Sequence, residues 1–419
     1  MTTLDRTQAP PFQLSSNYSL TLPEIYRFPE GQKLFAFRGL QQEAVKLELI
    51  FDAGKWYEPA LGVSHFTAQM LSKGTSAKNS FQIAEGLDSL GAHLEITPGF
   101  DVVTLTLFSL RKNLMASLKI VAELLQGPSF EEEELRLMKE IFTQGLQVNN
   151  EKTSVLASKE IRKTIFGLRH PYGSSIEEPD VAKITRTDLQ VFFKKHFSLH
   201  SAFLIGRLSD EELEAVIKII PAREKTINPD PSEFPSGTIT TITKQERVQA
   251  SIRLGKKCLT KNETTTYFDA VMFNHVLGGY FGSRLMKNIR EEKGLTYGIY
   301  SSMHHFMFDS FWMIGAEVNQ QNASEAIREI KREVRNLQQE LIPLPELEIA
   351  KNYFIGSWQS ENSTLFSVAE KIKNLHLWGL SESFFPNLLT HIQNITPAQI
   401  QSVANTHFDI ADLFEVQVG

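Results

Sequence analysis

Ile184-Thr185-Arg186-Thr187-Asp188-Leu189 leads to His196-Phe197, and Ile395-Thr396-Pro397-Ala398-Gln399-Ile400 leads to His407-Phe408, at a constant offset of 211 positions in a chain of 419 residues. In each copy a helix delivers the chain to a final strand, residues 201–206 in the first and 413–418 in the second. The match extends outward. Residues 113–126 carry an apolar helical stripe of Leu114, Leu118, Val121 and Leu125 that stops before Gly127-Pro128, and residues 324–341 repeat it with Ile327, Ile330, Val334 and Leu337. Two copies of so large a unit predict a duplicated domain, with two pseudo-equivalent halves facing each other across a cleft.

Within the first half, Val45, Leu47, Leu49 and Phe51 alternate with Lys46 and Glu48, the period of a half-buried strand, and residues 101–110 alternate in the same way. A further, more polar helix begins near Phe130 and carries Leu135, Met138 and Phe142. Strands followed by helix pairs, without strict alternation, predict an α+β fold. Each of two homologous domains is an antiparallel sheet with helices packed on one face, which leaves the other face free to bind. Pro221, Pro229, Pro231, Pro235 and Gly237 mark a linker at 223–237 between domains at 1–222 and 238–419.

Composition narrows the function. At 42% hydrophobic residues the length suits two cores of about 200 residues each. A net charge of −6 and a pI near 6.0 argue against nucleic acid and anionic membranes, both of which call for clustered Lys and Arg. The single cysteine, Cys258, can form no internal disulfide and is a poor start for a thiolate metal site. Residues 1–22 lack a signal-peptide core and no apolar run of about 18 residues occurs, so a soluble cytoplasmic protein is expected.

Gly62-Val63-Ser64-His65-Phe66-Thr67-Ala68-Gln69-Met70-Leu71-Ser72-Lys73-Gly74-Thr75 looks like an H-x-x-E-H segment. On a helix that motif puts two imidazoles on one face to grip zinc, while the Glu activates bound water. Here only His65 survives. Ala68 stands where the base belongs and Gln69 where the second imidazole belongs. These residues, with His170-Pro171-Tyr172-Gly173 and the two helix-to-strand ends, resemble the insulinase and pitrilysin family of zinc peptidases (inverzincins), which includes mitochondrial processing peptidase and paired bacterial relatives. The resemblance spans nearly the whole chain. It implies that each chain forms half of a clam-shell chamber and that a third ligand, a Glu, lies downstream. Gln144 stands at the corresponding place, with Glu140 one turn earlier. No catalytic residue is then intact, no metal or other cofactor is expected in this chain, and His65 reads as a packed helix histidine. His93, His275 and His391 lack partners at ligand spacing, and His304-His305 on a strand point to opposite faces.

The second half carries Leu277-Gly278-Gly279-Tyr280-Phe281-Gly282-Ser283-Arg284-Leu285 and then Ile289-Arg290-Glu291-Glu292-Lys293-Gly294-Leu295-Thr296-Tyr297. Gly278, Gly279 and Gly282 would let a backbone come close to another chain. The resemblance implies that Arg290 and Tyr297 bind substrate from this domain: a guanidinium fork holds carbonyls and a phenol donates to a developing oxyanion. A broken zinc motif beside an intact Arg and Tyr string implies a non-catalytic, substrate-binding subunit of a heterodimeric metallopeptidase. Its partner is a homologous subunit with an intact H-x-x-E-H motif that holds the zinc, and its substrate is a peptide added as a strand to a sheet edge, with His93–Thr97 resembling that edge. A homodimer in the partner's absence stays open. Rival readings are a purely structural core-type subunit and a free-standing peptidase with atypical ligands.

Overall fold

The computed structural model describes residues 20–39, 42–222, 248–262 and 264–419. The expected linker at 223–237 lies outside the described residues. The first half runs β1 (Glu24–Arg27), β2 (Lys33–Phe37), β3 (Ala44–Phe51), α1 (Val63–Met70), α2 (Ser80–Ser89), β4 (His93–Pro98), β5 (Val103–Leu110), α3 (Leu114–Gln126), α4 (Glu132–Asn150), α5 (Thr153–Phe166), α6 (Glu178–Lys183), α7 (Arg186–His196), β6 (Leu199–Ile205) and α8 (Asp210–Ile219). The second runs β7 (Gln249–Lys257), α9 (Thr265–Asn274), π-helical turns at His275–Gly279 and Met286–Glu292, β8 (Thr296–His305), β9 (Ser310–Asn319), α10 (Ala323–Gln339), α11 (Leu344–Glu361), α12 (Leu365–Leu377), α13 (Phe384–Asn394), α14 (Pro397–His407) and β10 (Phe414–Val418).

The duplication is visible in the sheets. The first has order β1-β2-β6-β3-β5-β4 and the second β10-β7-β9-β8, so β6-β3-β5-β4 and β10-β7-β9-β8 share one topology. Every pairing is antiparallel except β2 with β6. The repeated Ile-Thr segments start their helices alike, since Thr185 and Thr396 each accept a hydrogen bond from the backbone N–H three residues on and the third helical residue bonds back. Such a box satisfies two donors that a helix start would otherwise leave unpaired. Val45, Leu47, Leu49 and Phe51 pack into the first core, beneath the helices of their own half.

The expectation of a free second sheet face is corrected. Ile50, Phe203, Phe35 and Phe37 on that face join the core of the second half, where the His376 ring of α12 lies 4.6 Å from Phe35. Reciprocally, Ala157, Ile161, Ile165 and Phe166 of α5 form a cluster with Phe311, Met313, Val416 and Val418 of the second sheet. Each half therefore lends its third post-sheet helix to cover the other's sheet. The reason the pattern concealed this is that Lys46 and Glu48, which read as solvent-facing, are consumed by the incoming helix. Lys46 bonds Glu370 at 2.9 Å and Lys373 bonds Glu48 at 3.0 Å, with all but the Glu370 side chain largely buried. Among the described residues no helix is long and apolar enough to cross a membrane.

Candidate functional site

Helix α1 is fixed at its start by Gly62, whose φ of 95° favours glycine, and by Glu58, whose carboxylate accepts from the Gly62 and Ser64 amides at 3.0 and 3.2 Å. Ser64 Oγ donates to the Ala53 carbonyl, and Ala68 is fully buried in the first core. This leaves His65 and Gln69, one turn apart, on the partly open side. The His65 ring packs 4.8 Å from that of Phe142 and has no hydrogen-bond partner among the described residues; burial holds its pKa below the ordinary imidazole range. Gln69 Nε2 donates to the backbone carbonyl of Ile96 at 2.9 Å, tying α1 to β4, which is the outer strand of its sheet.

Gln144 does not reach His65. Phe142 and Leu146, one turn apart on α4, line the cavity of about 280 Å³ beside His65, and Gln144 points to solvent because two helical steps turn it about 200° from Phe142. Glu140 is held on the exposed side by Arg136 at 2.5 Å. The rest of the cavity wall comes from segments without periodic signal. Lys55 donates to the Ser174 carbonyl at 2.5 Å, and among the described residues the Arg162 guanidinium of α5 bonds only the Ser158 carbonyl, at 2.9 Å. Burial pushes the Lys55 amine and the Arg162 guanidinium down and the Glu58 carboxyl up.

The second motif lies elsewhere. Gly278 packs against β8: a Cβ there would stand 2.7 Å from the Ser301 amide nitrogen, so this glycine permits a close backbone approach within its own domain. At Gly279 a Cβ would meet the His275 ring at 3.2 Å, and at Gly282 the Tyr280 ring at 2.8 Å. Arg290 sits on the turn Met286–Glu292 with its guanidinium 4.8 Å from the centre of the Phe281 ring, and no carboxylate pairs with it among the described residues. Tyr297 is 95% exposed, on β8 where the register with β9 shifts, and Phe281 beside Arg290 is 58% exposed. Neither Arg290 nor Tyr297 lines the cavity beside His65. His170-Pro171-Tyr172-Gly173 is a clasp between the halves: the Tyr172 hydroxyl donates to Asp101 at 2.5 Å and accepts from the Phe308 amide, while its ring stacks on Phe306 at 4.0 Å. His304 and His305 are engaged separately, His304 with Ser302 and His305 with Tyr267 and Ser310.

The sequence model of the insulinase family, peptidase family M16, matches residues 36–180, and that of the peptidase M16 inactive domain matches residues 183–354. The chain belongs to peptidase family M16. It is 28% identical to the uncharacterized zinc protease YmxG of Bacillus subtilis over 76% of this chain and 79% of that protein. It is 24% identical to the non-peptidase homolog YmxG of Helicobacter pylori over 84% of this chain and 83% of that one. A crystal structure of a peptidase M16 inactive domain from Pseudomonas fluorescens superposes with a TM-score of 0.85, at 24% identity, over 95% of this chain and 97% of that one.

M16 peptidases imply a zinc ion, and the donors around His65 do not fit one. Zinc sites need three or four N, O or S ligands. Here one imidazole faces Phe142 and Leu146, Ala68 offers no donor atom, and the Gln69 amide is committed to Ile96. Among the described residues no group of three or more His, Cys, Asp or Glu is placed to hold a metal ion. Sequence reasoning missed Lys55, Glu58 and Arg162. A Lys-Trp-Tyr-Glu-Pro run has no catalytic spacing, and Arg162 on α5 falls beside the apolar stripe of Ile161 and Ile165 without disturbing it.

Proposed function

We propose that this M16 chain is the non-catalytic, substrate-binding subunit of a two-subunit zinc metallopeptidase acting on peptides or unfolded polypeptides. The zinc belongs to a homologous partner with an intact H-x-x-E-H segment. One contrast carries the reading: His65 is desolvated against Phe142 with no second donor, whereas the Tyr297 hydroxyl and the Arg290 fork have no hydrogen-bond or carboxylate partner among the described residues. An exposed phenol and an uncommitted guanidinium bring little stability to the chain that carries them, and both suit a substrate amide: the fork holds carbonyls and the phenol donates to the oxyanion formed during hydrolysis. The outer strands β4 and β8 give a peptide an edge to pair with. The kinship with a protein named a non-peptidase homolog agrees with this division of labour.

The test is reconstitution. This chain alone should leave an unstructured peptide uncleaved, and addition of a homologue with the complete motif should produce chelator-sensitive cleavage exceeding that of the homologue alone. A mixture no more active than the homologue would favour a purely structural role.

A further inference from the structure

The cavity beside His65 has a charge imbalance. Its cations are Lys55, Lys159 and Arg162, and its lining acid is Glu58. Lys159 is answered by Glu177 at the rim, 3.7 Å away, and by the Asn150 amide oxygen at 2.9 Å. Glu58 lies near enough to Lys55 for their charges to interact, but one of its oxygens caps α1 and the other has no hydrogen-bond partner among the described residues. Among the described residues Arg162 has no carboxylate partner: Nε is buried without a partner, the one hydrogen bond of the guanidinium is to the Ser158 carbonyl, and its charge opposes that of Lys55. Both cations stand over the Phe100 ring, Lys55 at 5.5 Å and Arg162 at 5.7 Å from its centre. A half-buried guanidinium with unused donors and a like charge close by is costly by itself, and a carboxylate offers the fork two oxygens at once.

We propose that this cavity binds one carboxylate, held between Lys55 and Arg162 and carried by a peptide on either an acidic side chain or the C-terminus. Phe100, Phe142 and Leu146 give the stem of that residue an apolar wall. About 280 Å³ falls just short of the roughly 300 Å³ at which drug-sized pockets begin, which suits one residue of a peptide. The cavity lining includes Pro98 and Gly99, where β4 ends, so a peptide lying along that outer strand would reach the wall that carries the two cations. The M16 site has on this account exchanged a metal for an anion-binding pocket. The proposal concerns this chain by itself, so its failure is separable from failure of the two-subunit reading.

Isothermal titration calorimetry of the full chain, without partner, against three N-acetylated tetrapeptides tests it. One is amidated and carries a single Glu, one has a free C-terminal carboxylate and no acidic side chain, and one is amidated with Gln in place of Glu. At least one of the acidic peptides should bind roughly tenfold or more tighter than the neutral one, and which does so names the source of the carboxylate. Arg162→Gln, with folding checked by thermal melting, should abolish the preference; if that variant does not fold, Lys55→Met carries the same expectation. Equal binding of all three peptides, no binding of any, or a preference that survives the substitution would overturn the proposal.

Discussion

His65 keeps the residue type of a zinc ligand and has lost the surroundings of one. Its ring is desolvated against Phe142, and the residue one turn on, Gln69, spends its amide on a strand carbonyl. Purified chain dialysed against buffer should therefore carry far less than one zinc per molecule by elemental analysis, and a stoichiometric amount would refute that geometry. Gly278 offers a test of a different kind. Its missing Cβ is what admits β8, since that atom would stand 2.7 Å from both the Ser301 amide nitrogen and its Cβ and 2.9 Å from Leu285. Gly278→Ala should destabilise the chain by roughly 1–3 kcal/mol, read as a lower denaturation midpoint. The positions of His65, Ala68 and Gln69 on α1, and of Arg290 and Tyr297 around the start of β8, could be singled out in the sequence because each set stands within a contiguous string that resembles a family motif. Gln144 lies on a polar helix whose phase the sequence does not set, and the inward pair Phe142 and Leu146 turns it toward solvent. Lys55 and Arg162 were illegible because lone cations outside a motif look like any solvated surface charge.

At the scale of elements, the offset of 211 positions between Thr185 and Thr396 carried most of the architecture, and the matched helix starts and sheet orders bear it out. What it did not carry was the exchange of α5 and α12. A strand with Lys46 and Glu48 on one side looks half-exposed, and only the far-off Glu370 and Lys373 reveal that this side is covered. Pairing between positions more than 300 residues apart leaves no periodic trace. The same junction is pinned by Tyr172, whose hydroxyl joins Asp101 of the first half to the Phe308 amide of the second. Tyr172→Phe leaves the ring stack in place but removes one partner of a buried carboxyl, so unfolding should become easier by about 1–3 kcal/mol. A urea titration with an unchanged slope and a lower midpoint is the expected record.

Across the whole molecule, burial holds five histidines neutral: His170, His196, His275 and His376 are pushed down to about 4 and His305 to about 3. In the unfolded chain each would titrate near the ordinary imidazole value of 6.5. Between that value and about 4 the unfolded state binds more protons than the folded one, so stability is lost as pH falls through this window. Glu58 and Asp101, whose carboxyls burial raises, act in the opposite direction but are two against five. Thermal melting should show Tm falling from pH 7 to pH 4, and a flat profile would contradict the burial of these imidazoles. On the proposed function, the chemistry that this chain would lend a partner lies at Arg290 and Tyr297 and not at His65. Tyr297 is so exposed that Tyr297→Phe should leave Tm and assembly untouched. The most direct measurement is therefore kcat for the complex reconstituted with Tyr297→Phe in place of the native chain. The account predicts a loss of roughly 10²–10³ in kcat with KM little changed, the cost of one oxyanion donor; a near-native kcat in a fully assembled complex would contradict it.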